Sequence, residues 1–105
     1  MEKLVSLETQ AARLLVEIIL SKGFSISVFD GDEWTIRRST NAADITAALD
    51  TTGEDYLAMH RVDGSKGGGC IQLVWGNSAP ELVADHTANE AMDAIWNEWH
   101  QIVDQ

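Results

Sequence analysis

The stretch RVDGSKGGGCIQLVWG, Arg61 to Gly76, decides how this chain is organised. Its first ten residues gather four of the eight glycines around Lys66, which invites a phosphate-binding reading. Such a loop leads from a strand into a helix, so that backbone amides and a helix N-terminus converge on the anion. Here the glycines run into Cys70-Ile71-Gln72-Leu73-Val74-Trp75, a strand pattern without helical period. The G-x-x-x-x-G-K-S/T spacing is also missing, because Lys66 precedes the three consecutive glycines. A hairpin tip is the expected structure. The run of glycines is expected to leave it loose when the protein is alone, with Lys66 either solvated or in contact with an acidic partner.

A hairpin at this point makes the sheet antiparallel, and the neighbouring segments read accordingly. EDYLAMHRVD, from Glu54, supplies the partner strand. Upstream, FSISVFD alternates Phe24, Ile26 and Val28 against Ser25, Ser27 and Phe29. EWTIRRS then alternates Trp34 and Ile36 against Thr35 and Arg37, with the hairpin signal Asp30-Gly31-Asp32-Glu33 in between. Parity constrains the register. Placing Val28 opposite Ile36 requires Asp30 opposite Trp34 and a three-residue loop, with Gly31 or a neighbour at positive φ. TNAADITAALDTTG reads as a short helix capped by Thr40 or Asn41, and ELVADH, from Glu81, as the last strand.

Two long helices frame these strands. In the first, Leu4, Leu7, Ala11, Leu14, Leu15 and Ile18 recur at helical spacing, and Gly23 is the stop signal. Val5, Ala12, Val16, Ile19 and Leu20 widen its apolar arc well past the ~100° that suffices to face a core. Such a helix is either deeply embedded or packed on two sides. The last helix opens on Thr87-Ala88-Asn89-Glu90, which has the form of a capping box with Thr87 as cap. Met92, Ile95, Trp96, Trp99, Ile102 and Val103 then form one apolar arc. The expected fold is a single α+β domain over residues 1–105. It has one antiparallel sheet of about five strands, the two long helices packed on one face, and a short helix between strands 2 and 3.

A chain of 105 residues with 45% hydrophobic content is one domain with its own core. The single cysteine, Cys70, forms no internal disulfide, fits a buried strand thiol, and has no histidine at zinc-like spacing. The N-terminal apolar run is broken by Arg13 and Glu17 and is not followed by a cleavage site. No segment approaches the ~20 apolar residues of a membrane span, so a cytoplasmic protein without membrane contact is expected. Formal net charge is −10, and every basic residue lies at or before Lys66. Such a surface repels phosphate backbones, which disfavours direct nucleic-acid binding. Solubility through net charge is the ordinary explanation, and an acidic inhibitor that mimics nucleic-acid charge is the alternative.

The candidate polar contacts are Arg37, Arg61, Lys66, Asp85 and His86. Adjacent Arg37 and Arg38 point to opposite faces, so pairing with Asp30, Glu54 or Asp55 is expected rather than one basic patch. Asp85-His86 has the form of an oriented imidazole, which makes an enzyme built on that pair a second alternative. No nucleophile stands in a motif beside it, and His86 with Glu90 is too sparse for a metal. No catalytic, metal or cofactor residue is therefore assigned, and no cofactor is expected. Trp96 and Trp99, together with Val16, Ile19 and Leu20, are the candidate interface for self-association, because a chain this short seldom hides four indoles. The expected function is that of a small acidic, non-enzymatic accessory protein acting through protein–protein contact as a homodimer.

SVFDGDEWTIRRST, the VWG strand end and LVADHTANEAMDAIW together resemble small uncharacterised proteins of bacteriophages and prophages. That resemblance implies an accessory, partner-binding role and marks no residues. The order of elements is similar to roadblock light-chain and profilin-like proteins, which implies homodimerisation and a protein partner. The second helix here is much shorter than a roadblock protein's.

Overall fold

The computed structural model describes residues 7–49 and 53–104. Along the chain run α1 (Leu7–Ser21), β1 (Phe24–Phe29), β2 (Trp34–Ser39), α2 (Ala42–Ala47), β3 (Glu54–Arg61) and β4 (Gly69–Val74). A single 3₁₀ turn (Ala79–Glu81), β5 (Val83–His86) and α3 (Glu90–Val103) complete it. The strands form one antiparallel sheet in the order β2-β1-β3-β4-β5, as the α+β reading expects. Leu4 and Val5, counted in the first helix, and Asp50 to Thr52, counted in the short one, lie outside the described residues.

The inward set of each strand meets the helices in one core. Phe24, Ile26 and Val28 of β1 join Leu57, Met59, Ile71 and Leu73 there, all buried. The over-wide arc of α1 has a direct explanation. The helix lies in the middle of the helical layer, against β1 below and α2 and α3 beside it. Ala11, Ala12, Leu15, Val16, Ile18 and Ile19 are consequently all buried within the chain's own core. Trp99 of α3 donates its indole N–H to the Ala11 carbonyl at 2.8 Å, which satisfies the one polar atom of a fully buried ring.

The β1–β2 hairpin departs from the expected register by one residue. Val28 does pair with Ile36, but the next pair is Phe29 with Trp34, so Thr35 is an extra residue in a bulge. The loop is therefore Asp30 to Glu33. It is closed by the Asp30 amide on the Glu33 carbonyl at 3.1 Å, with Gly31 at φ 99°. The bulge turns Trp34 onto the face of Phe29, whereas strict alternation would have left it beside Ile36.

Two further differences come from competition for backbone partners. Thr87 does not cap α3. Its amide donates to the Cys70 carbonyl and its hydroxyl accepts from the Cys70 amide, both at 2.9 Å, which prolongs the β4–β5 ladder. Asn89 caps instead, accepting from the Met92 amide at 2.9 Å. The last strand is also shorter than ELVADH, because Glu81 belongs to the 3₁₀ turn begun at Ala79-Pro80.

The glycine-rich loop is a hairpin tip leading into β4, and two of its glycines are required by close approach. A side chain on Gly68 would collide with the Met59 carbonyl, and one on Gly69 would press on the Met92 side chain of α3. The tip is tied at two points: Asn89 Nδ2 donates to the Gly68 carbonyl and Arg61 Nε to the Lys66 carbonyl, each at 3.2 Å.

Candidate functional site

All three helices cover one side of the sheet and leave the other side open. On the open side the strand pairings place one residue per strand in a continuous row: Trp34, Phe29, Tyr56, Gln72 and Asp85. The next row, Ser27, Ala58 and Cys70, is made of small side chains. The Trp34 and Phe29 rings lie 5.2 Å apart and the Phe29 and Tyr56 rings 6.2 Å, tilted in both cases, so they form one aromatic ridge. Arg37 holds its guanidinium 5.3 Å from the Trp34 ring centre. Trp34 is 42% exposed, a large ring left in water at the β2 edge.

Past Tyr56 the face becomes polar and drops into a hollow of about 240 Å³, bounded by Tyr56, Cys70, Gln72, Asp85, His86 and Thr87. The Tyr56 hydroxyl donates to Glu54 at 3.0 Å, and Gln72 Nε2 donates to the same carboxylate at 3.2 Å. The hydrogen bond to Glu54 raises the Tyr56 pKa above its ordinary value. Cys70 is exposed on this floor, although its strand position suggested a buried thiol. Partial desolvation and then the Asp85 carboxylate push its pKa up, which disfavours the thiolate.

The residues singled out in the sequence are distributed unevenly around this surface. Arg37 and Asp85 both reach it, from the two opposite edge strands. Val16, Ile19 and Trp99 are 0% exposed and cannot form an interface, a correction that follows from the central position of α1. Leu20 and Trp96 are half-buried against the core. Arg61 lies on the helix side, 4.7 Å from the Phe24 ring centre, and Lys66 is exposed at the hairpin tip. The expected arginine–carboxylate pairing is replaced by stacking. Asp30 accepts from the amides of Glu33 and Asp32, and Glu54 from Tyr56 and Gln72.

Asp85 and His86 do not form a dyad. Asp85 accepts from the His86 backbone amide at 2.9 Å, not from the ring. The imidazole lies towards α3, with Nδ1 3.1 Å from the Thr87 carbonyl and 3.7 Å from Asp93, near the Trp96 ring. Trp96 in turn stacks on His100 at 4.4 Å. Sequence reasoning missed the Trp34–Phe29–Tyr56 ridge, although Phe29 alternating with serines was its visible signal. It also missed the buried bond from the Trp75 indole to Asp55 at 2.8 Å.

A second cleft, of about 830 Å³, lies between the start of α1 and the end of α3, with Leu7 and Ile102 exposed at its rim. Among the described residues no helix is long and apolar enough to cross a membrane, and no three His, Cys, Asp or Glu side chains are grouped to hold a metal. Comparison with protein-family models, with curated proteins and with solved structures returns no match.

Proposed function

We propose that this chain is a small acidic accessory protein that works by protein–protein contact at the open face of its sheet, without catalysing a reaction. The observation that carries this reading is the aromatic ridge of Trp34, Phe29 and Tyr56 on a sheet face that no helix covers. Solvated faces of antiparallel sheets ordinarily carry polar side chains. Aromatic rings flanked by an arginine are the composition of interface centres. A cytoplasmic setting belongs to the same reading, supported by a fold that has no need of a disulfide.

The charge-mimic alternative is less well supported. It requires the carboxylates after Lys66 to gather on one face. Asp85 lies on the open side, whereas Glu90, Asp93 and Glu98 ride on α3 on the other side, with Asp104 just past its end, and Glu98 is paired with Lys22 at 2.9 Å. Hydroxyl-radical footprinting of the dilute chain in buffer, of the concentrated chain in buffer and of the dilute chain in bacterial cell extract tests the contact reading. Relative to the dilute chain in buffer, Trp34 and Tyr56 are expected to be protected on concentration or in extract, while Trp96 oxidises equally throughout. Equal oxidation of all three residues under every condition, or protection confined to the helical layer, overturns it.

A further inference from the structure

We infer that the occupant of the open sheet face is a second copy of this chain, stacked face to face about a twofold axis that runs parallel to the strands over β3. The inference rests on the contact reading above and supplies its partner. With the strands of the two sheets kept aligned, two in-plane axes would bring such faces together. An axis across the strands lays each β2 on the other β2, which sets Trp34 against Trp34 and Arg37 against Arg37. An axis along the strands lays β2 on the partner's β5, β1 on its β4 and β3 on itself.

Only the second arrangement is complementary. The row Trp34, Phe29, Tyr56, Gln72, Asp85 maps onto itself in reverse order. Trp34 and Phe29 of one copy then lie over the 240 Å³ hollow of the other, on the far side of β3, while Tyr56 meets its own counterpart at the axis. Arg37, carried over Trp34 at one edge, meets Asp85 of the second copy at the other edge, and the symmetry makes this contact twice. Ala58 and Cys70, beside Ser27, which is itself buried and bonded to the Arg38 amide, supply a floor low enough for sheets to approach at ~10 Å.

The same geometry predicts a weak dimer. Five strands of about six residues give a footprint of roughly 24 by 20 Å, which places the buried surface at the low end of specific interfaces. Glu54, beside Tyr56 on β3, faces its own counterpart near the axis, and the net charge of −10 per chain adds repulsion.

The test is sedimentation equilibrium on the full chain and three exposed-residue variants, Arg37→Glu, Asp85→Arg and Glu54→Gln, each checked for native circular dichroism. The parent chain is expected to dimerise with concentration. Arg37→Glu and Asp85→Arg should each weaken dimerisation at least about tenfold, because each places like charges together twice. An equimolar mixture of those two variants restores both contacts and should recover the dimer, while Glu54→Gln should tighten it. A parent dimer indifferent to the swaps, or a mixture that stays monomeric, overturns the face and axis and leaves the contact reading intact. A parent chain that stays monomeric at every concentration overturns the second copy as occupant, and extract footprinting then decides the contact reading by itself.

Discussion

Cys70 shows how a single position on the open face is set by its neighbours. Its thiol is accessible yet held protonated, by partial desolvation and by Asp85. Alkylation by iodoacetamide at neutral pH is therefore expected to run slower than for a free cysteine, and Asp85→Asn is expected to speed it; a mass-spectrometric time course reads both rates. Gly68 illustrates a steric requirement. With the Met59 carbonyl in the place of any side chain, Gly68→Ala should cost about 2 kcal/mol in urea denaturation, while Gly53→Ala, which meets nothing within 4 Å, should cost far less. Asp30 titrates with the fold. The amides of Glu33 and Asp32 hold its pKa below the ordinary carboxylate value. A group lowered on folding adds stability above its unfolded pKa and loses it as the pH falls through the folded one. The stability gap between the parent chain and Asp30→Asn should thus be widest at neutral pH and close in acid.

Among the elements, legibility tracked how many partners competed for the same group. The strands, the hairpin tip at Arg61 to Cys70 and both long helices were readable because each is fixed by its own periodicity and by the adjoining segment of chain. The cap of α3 was not. Thr87 fits a capping box in sequence, but its amide and hydroxyl are taken by Cys70 across the ladder, which hands the role to Asn89. Asn89→Ala should therefore cost about 1–2 kcal/mol and fray the Met92 amide in hydrogen exchange, whereas Thr87→Ala should loosen Cys70 and leave the helix start protected. The open-face ridge was hidden for a related reason. Alternation assigns Trp34 to the face of Ile36, and only the extra residue Thr35 in the bulge brings it beside Phe29. A bulge leaves no periodic trace in a six-residue strand.

At the scale of the molecule, two layers divide the apolar surface unequally. The helical layer holds α1 in its middle, so Ala12, Val16 and Ile19, which widen the apolar arc that suggested a dimer face, are buried inside one chain. Val16→Glu separates the two possibilities. In a buried position it should abolish the cooperative unfolding transition, because a carboxylate in the core costs on the order of the ~5–15 kcal/mol that holds such a domain together. A folded monomer from that variant would restore α1 as an interface. The sheet layer remains one-sided, and its edges differ in character: β2 carries the arginines and β5 the aspartate.

That one-sidedness also sorts the four indoles optically. Trp99 and Trp75 are 0% and 8% exposed, Trp96 is pressed against His100, and Trp34 alone is exposed, at 42%. Red-edge excitation therefore favours a single emitter, and acrylamide should quench that emitter first. Any body that settles on the sheet removes water from Trp34 and shifts its fluorescence to the blue. The chain carries its own reporter at the place where contact is expected, and no label has to be attached to watch that face fill.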